Sequence, residues 1–190
     1  MEIKPSIRYA KDMKNVFLNK DIDENEELYY MFRGVSKKGS ARYDITEIPS
    51  KLIGEEFIKT KGHYHDDFRE IYIVLEGEAI FLMQKGRDVI EDVYFVHAKK
   101  DDVVLIPFDY GHVTINPSLT DLKLGNFVSE ESGHDYDSIQ NKNGAAYFYT
   151  TKGWIKNNKY GHVPEIREEK PLLNIPDNVE EICLSRKKKI

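Results

Sequence analysis

The chain reads as an all-β protein, a sandwich or barrel built from many short strands. Three observations predict this. Twelve Tyr and nine Phe, with many Ile and Val against few Ala and Leu, favour the pleated backbone. Short apolar or alternating runs recur, separated by Gly, Pro, Asp and Lys turns. Helical signals are few and short, the clearest being PDNVEEICL at 176–184 with Asp177 as its cap.

Residues 1–27 are polar and lysine-rich, without a long periodic pattern. ELYYMFRGV, from Glu27 to Val35, reads as the first strand, and a turn at Lys37–Gly39 follows. ARYDITEIP forms a second strand with Tyr43, Ile45 and then Ile48 as its apolar positions. Pro49 to Gly54 is a break. EEFIKTKGHYH, EIYIVL, AIFLM, EDVYFVHAK, DVVLIPF and LKLGNFVS follow as strand-like runs, with a bend at Glu76-Gly77-Glu78. SGHDYDSIQNKNG is loop-like or briefly helical. AAYFYTTKGWIKNNKYGHVPEI reads as a strand, a Lys-Gly turn and a returning edge.

Composition narrows the function. The net charge is −5 with both signs mixed, against the basic excess of a nucleic-acid protein. One cysteine, Cys183, excludes an internal disulfide framework and a zinc finger. No apolar run approaches the roughly 18 residues of a membrane span, and MEIKPSIRYAKDMKN lacks the apolar stretch of a signal peptide. A soluble, cytoplasmic protein is expected. The basic run at 186–189 reads as a solvated, disordered tail, and His97 and His162 as ordinary surface or strand residues.

Four side chains stand apart: His63, His65, Glu70 and His112. His63 and His65 are two positions apart, so on a strand they project from one face. Glu70 is five positions beyond His65, so Asp66-Asp67-Phe68-Arg69 must turn and Glu70 must open the next strand. There Glu70, Tyr72 and Val74 share one face. His112 comes from a later strand, after Pro107. Three imidazoles and a carboxylate suit a divalent iron, manganese, zinc, nickel or cobalt ion. In an octahedral site they leave two positions for substrate oxygens.

The full pattern is His63-x-His65, four residues, Glu70, six residues, Gly77, and then Pro107, four residues, His112, three residues, Asn116. It resembles the two motifs of the cupin superfamily, small jelly-roll-like β-barrels with a metal inside. Asp101 and Asp109 stand where two glycines of the second motif are usual. Thr46-x-x-Pro49, Gly54-Glu55-Glu56-Phe57-x-x-Thr60-Lys61-Gly62-His63-Tyr64-His65, Glu70-x-Tyr72 and Gly133-His134-Asp135-Tyr136 resemble the cupin-type glucose-6-phosphate isomerases found chiefly in archaea. The likeness runs from Thr46 to Ile139.

That resemblance implies a cupin barrel over 46–150; the ends are placed by position alone, as an N-terminal arm with strands over 1–45 and C-terminal strands, a short helix and a basic tail over 151–190, all in one structural domain. The resemblance implies His63, His65, Glu70 and His112 as ligands of a metal, usually iron, with Mn(II), Zn(II) or Ni(II) as alternatives. It implies Thr46, Thr60 and Gly62 at the sugar phosphate, Tyr72, His134 and Tyr136 near the sugar, and Tyr29 in the same pocket. It also implies a homodimer. Three departures bear on the substrate. The loop between His65 and Glu70 is two residues shorter than the family form, Val128 stands where a tyrosine is expected, and Pro107-Phe108 replaces a double proline.

The residue chemistry agrees with this reaction class. An aldose–ketose isomerase moves hydrogen between adjacent carbons and stabilises negative charge on oxygen, and a metal does the latter. Glu70 is the natural base, with His134 or Tyr136 moving a proton between oxygens. Lys59, Lys61, two hydroxyls and the Gly62 N–H are the candidate donors to phosphate. Thr60 and Gly62 are out of phase with His63 and His65, so if both sets face the pocket, as the resemblance implies, the strand must be irregular, and a bulge is predicted at Gly62. The alternative readings are an isomerase or epimerase of another sugar phosphate such as mannose 6-phosphate, an iron oxygenase, and a non-catalytic metal- or sugar-binding cupin.

Overall fold

The computed structural model describes residues 3–188. The strands are, in chain order, β1 (Ser6–Tyr9), β2 (Glu27–Lys38), β3 (Ala41–Ile48), β4 (Leu52–Ile53), β5 (Glu56–Phe57) and β6 (His63–Tyr64). They continue as β7 (Glu70–Glu76), β8 (Glu78–Lys85), β9 (Asp92–Lys99), β10 (Val103–Ile106), β11 (Tyr110–Ile115) and β12 (Leu122–Ser129). A one-turn helix α1 (Asp137–Gln140) precedes β13 (Tyr147–Thr150), β14 (Gly153–Lys156) and β15 (Arg167–Glu169), and α2 (Val179–Cys183) comes last.

Two main sheets form a jelly-roll-like sandwich. One has the order β1-β2-β3-β12-β7-β10 and the other β15-β9-β8-β11-β6, and a small sheet β14-β13-β5-β4 flanks them. The two main sheets are not hydrogen-bonded into one closed barrel among the described residues. The Glu76-Gly77-Glu78 bend carries the chain from β7 in the first sheet to β8 in the second. Tyr72, Val74, Val104 and Leu124 from one sheet join Ile80, Leu82, Val93 and Val113 from the other in one buried core. Burial of this kind stabilises by roughly 25 cal/mol per Å² of apolar surface.

The run EIYIVL lacks the polar outer face of an ordinary antiparallel strand, and packing explains it. Tyr72 and Val74 enter the main core, whereas Ile71 packs outside with Ala41, Val103, and with Val179 and Cys183 of α2. α2 therefore covers the outer face of the first sheet, and β7 is buried on both sides.

Several sequence expectations need correction. β1 and β15 went unread because each is a short polar segment that gains strand form only by pairing, with β2 and β9 respectively. The run from Glu55 to His65 is two short strands with irregular chain between them. On β3 the inward face is Asp44, Thr46 and Ile48, whereas Tyr43 packs outside on Phe127 with ring centroids 4.7 Å apart. Asp177 does not cap α2: Asn178 holds the N-cap position, without a side-chain capping bond. The start of the basic run is not a free tail, since Arg186 pairs with Asp67 and Asp109, and Lys187 with Asp67. Lys189 lies outside the described residues.

The irregularity at Gly62 is present. Lys59 bridges Ile115, Thr60 N–H donates to Thr114 O at 2.8 Å, and His63 pairs with His112. Four steps on one strand thus match three on the other, and Lys61 and Gly62 together oppose Val113. Gly62 has φ +79°, and an added Cβ would lie 2.5 Å from Val113 Cγ2 and 3.2 Å from His112 O. Gly62→Ala is expected to lower stability by about 2–4 kcal/mol through left-handed strain and overpacking. An unchanged urea midpoint would refute this account of the bulge.

Candidate metal centre

The bulge places His63, and β11 places His112 directly opposite it in the ladder. β7 reaches across from the facing sheet with Glu70 and Tyr72. Loop residues at 133–136 complete the cluster, because Tyr64 and Asp135 exchange backbone bonds of 3.0 and 3.2 Å. The Gly133-His134-Asp135-Tyr136 segment is thereby pinned beside β6. Asp135 also accepts from Ser138 N at 3.1 Å, which starts α1 just after Tyr136.

Nε2 of His63 and Nε2 of His65 are 2.7 Å apart. Glu70 Oε2 lies 3.5 Å from His65 Nε2 and 3.2 Å from His112 Nε2. Two overlapping triads result, His63–Glu70–His112 and His63–His65–His134, each with ligand atoms within 4.8 Å of one another. All four sequence-expected ligands meet, and His134 stands close enough to be a fifth donor. That proximity was missed because it depends on the Tyr64–Asp135 bridge, not on spacing.

The donor set fits a divalent ion. His65 Nδ1 is hydrogen-bonded to Gly133 O, so that nitrogen carries the proton and Nε2 presents its lone pair to the cluster. Burial, reinforced by His112 and His65, holds His63 well below its ordinary pKa and keeps it neutral. Burial would raise the Glu70 carboxyl, but His65 and His112 outweigh it and hold Glu70 well below the usual range. The same Glu70 charge, against burial, raises His65. Neutral His63 and ionised Glu70 are forms that bind metal, and an ion would displace from His65 Nε2 the proton that Glu70 favours there.

The surrounding pocket is lined by Tyr29, Thr46, Thr60, Gly62, His63, Glu70, Tyr72, His112, His134 and Tyr136. His65 is buried behind them. Tyr72 OH donates to Glu70 Oε2 at 3.1 Å and lies 3.3 Å from His112 Nε2. Burial, then the Glu70 charge, pushes that phenol well above its ordinary pKa, so it keeps its proton. His134 and Tyr136 lie nearly parallel, with centroids 5.7 Å apart. Lys61 Nζ is 5.4 Å from the Tyr136 ring and its backbone N–H faces Tyr29 OH at 3.4 Å. Val128 is buried in the lining.

Lys59 does not belong to the pocket. Its ammonium pairs with Glu56 in the interior, between Phe17 and Phe148. The sequence reading also missed Asn126, Asp44 and Arg42. Asn126 Nδ2 donates to Glu70 Oε1 at 3.4 Å, and Asp44 fixes Arg42 through contacts of 2.8 and 3.0 Å. Asn126 and Asp44 had a visible signal: Asn126 is in phase with Leu124 and Val128, and Asp44 with Thr46, so both are polar groups at inward positions.

His134 carries a pH prediction. Burial, then the neighbouring His65, lowers it to about 4. Unfolded histidine titrates near 6.5, so between those values the unfolded chain binds more protons. Stability of the metal-free protein should fall as pH drops from about 6.5 towards 4. Proton-detected titration of the ring checks this, and a midpoint near 6.5 would contradict it.

Fold and site together define a jelly-roll-like β-sandwich with a metal-type His/Glu cluster between its sheets, the arrangement that the cupin resemblance implied. A family model described as glucose-6-phosphate isomerase matches residues 8–165, and the chain belongs to that family. Among curated relatives, the glucose-6-phosphate isomerase of Thermococcus litoralis is 28% identical over 149 residues, 73% of this chain and 77% of the relative. That of Pyrococcus furiosus is 27% identical over 163 residues, 80% of this chain and 85% of the relative. A solved structure titled a predicted oxalate decarboxylase, from Thermotoga maritima, aligns with TM-score 0.45 and 22% identity, covering 66% of this chain and 91% of that one. No helix among the described residues is long and apolar enough to cross a membrane.

Proposed function

We propose that the protein interconverts glucose 6-phosphate and fructose 6-phosphate with a divalent metal held by His63, His65, Glu70 and His112. The supporting observation is the convergence of these four side chains, with three of them lining the pocket and His65 behind, in a chain that belongs to this isomerase family. A metal there supplies Lewis acidity toward the substrate's oxygens. Thr46, Thr60 and the Gly62 N–H receive the phosphate, and Lys61 and Arg8, both near the Tyr136 ring, supply positive charge at that end. Asn126 Nδ2 orients the Glu70 carboxylate, and Tyr72 holds its proton at Glu70 Oε2. Neutral His134 accepts a proton at its free ring nitrogen and, with Tyr136, moves it between sugar oxygens. The same reading makes the protein a cytoplasmic homodimer that uses Fe(II).

The test is turnover of fructose 6-phosphate by protein stripped of metal and refilled with Fe(II), Mn(II) or Zn(II). Formation of glucose 6-phosphate only after refilling is expected. Silence with every metal, despite a bound ion, would overturn it. Run in deuterated water, the assay also reads the hydrogen route, since transfer through Glu70 incorporates deuterium and a direct shift does not. Val128 favours a second reading, an isomerase of a related hexose 6-phosphate, because an apolar side chain there replaces an expected phenol in the lining. Mannose 6-phosphate turnover above that of glucose 6-phosphate would select it.

A further inference from the structure

Residues beyond 165 lie outside the stretch matched by the family model, yet the chain end returns to the metal centre. After α2 docks on the outer face of β7 and β12, a 3₁₀ turn at Arg186–Lys188 meets the loop that joins His65 to Glu70. Arg186 N–H donates to Asp67 O at 3.0 Å. Its guanidinium donates through Nε to Asp67 Oδ1 at 3.0 Å, through Nη1 to Asp109 Oδ2 at 2.9 Å, and through Nη2 to Asp66 O at 2.9 Å and to Asp109 Oδ1. One side chain therefore joins the loop between two metal-type donors to the turn that leads into β11 and His112.

Asp109 gives this contact a cost and a purpose. It holds φ 66°, the left-handed region that glycine occupies most easily. The carboxylate at that strained position grips Arg186. Arg87 fastens the same loop from the other side, through Asp66 Oδ1 at 2.8 Å, and reaches Asp135 and Ser138 beside His134. The segments carrying His65 and Glu70, His112, and His134 are thus clamped together by two arginines.

We propose that Arg186 is a positioning residue for the metal centre, fixing His65 and Glu70 relative to His112 through its joint hold on Asp67 and Asp109. The inference rests on the metal reading of the site given above. Its side chain is 41% exposed, and exposed ion pairs contribute little to global stability. Its effect therefore belongs to ligand geometry.

The test is equilibrium titration of metal-free protein with Co(II), read by its visible absorption, for wild type, Arg186→Ala, Asp109→Gly and the double variant. Each single variant is expected to bind Co(II) about tenfold more weakly, the lower end of the range for groups bonded directly to ligands, since Arg186 acts through the segments that carry them. The double variant should be no weaker than the worse single, because both changes remove one shared contact. Asp109→Gly should also keep its thermal midpoint, since glycine relieves the left-handed strain while the grip is lost. Affinities within twofold of wild type, or losses that multiply in the double variant, would overturn the proposal. Wild-type protein that binds no Co(II) would remove the metal reading itself, and this proposal with it.

Discussion

His112→Ala is expected to lose metal binding and, with the several kcal/mol of Lewis-acid stabilisation, about a thousandfold in turnover while the sandwich stays folded. His112 is buried and sits mid-ladder in β11, paired to Met83 of β8 on one side and His63 of β6 on the other. Alanine keeps every one of those backbone bonds. The His112 Nδ1 atom has no hydrogen-bond partner among the described residues, so truncation orphans nothing on that side. Glu70 retains Tyr72 at Oε2 and Asn126 at Oε1. The loss therefore falls on the ion, whose donor set drops below what holds it. Metal content after dialysis, circular dichroism and fructose 6-phosphate turnover, measured on one preparation, separate these effects. His97→Ala is the control, because His97 pairs with Glu78 away from the cluster. Full activity in folded, metal-free His112→Ala protein would refute the ligand assignment.

Glu56→Ala should be among the most destabilising single changes in the chain. Lys59 and Glu56 are almost wholly removed from solvent, at 3% and 0% side-chain exposure. Burial lowers the Lys59 pKa while Glu56 raises it, and burial prevails. Removing the carboxylate leaves an ammonium between Phe17 and Phe148 without its counter-ion, and leaves the Leu18 N–H without its 2.9 Å acceptor. Breaking a buried pair in this way costs about 3–5 kcal/mol. At this size that lowers the thermal midpoint by roughly 10 °C. Glu56→Gln combined with Lys59→Met should recover most of the loss, because neither charge then needs a partner. Scanning calorimetry of the single and double variants decides it, and a Glu56→Ala midpoint within about 2 °C of wild type would show that the pair is solvated.

The Lys59 result also shows where reasoning from the chain alone goes astray. Lys59 and Lys61 flank Thr60 and look equivalent on paper, as two cations beside a presumed phosphate site. The fold sends one into the interior toward Glu56 and the other to Tyr136 at the pocket. β3 misled for a related reason. Its apolar Tyr43 and Ile45 suggested the core face, but the interior at this end is a polar pocket, so Asp44 and Thr46 turn inward. Tyr43 instead finds Phe127 on the outer side.

What the sequence determined by itself is whatever strand parity and local covalent geometry control. The two-residue step from His63 to His65, the turn that must precede Glu70, and the shared face of Glu70 and Tyr72 follow from alternation along an extended backbone, and the bulge at Gly62 follows once the family resemblance turns Thr60 and Gly62 toward the same pocket. Only the tertiary structure decided which distant groups meet. Arg186 grips Asp67 across 119 positions, Asn126 reaches Glu70 across 56, and Gly133 O fixes the His65 tautomer across 68. Periodicity carries no information about such pairs. They are selected by burial, which makes an unpartnered charge or donor expensive and so brings each polar group to whichever neighbour the packed sheets place within reach.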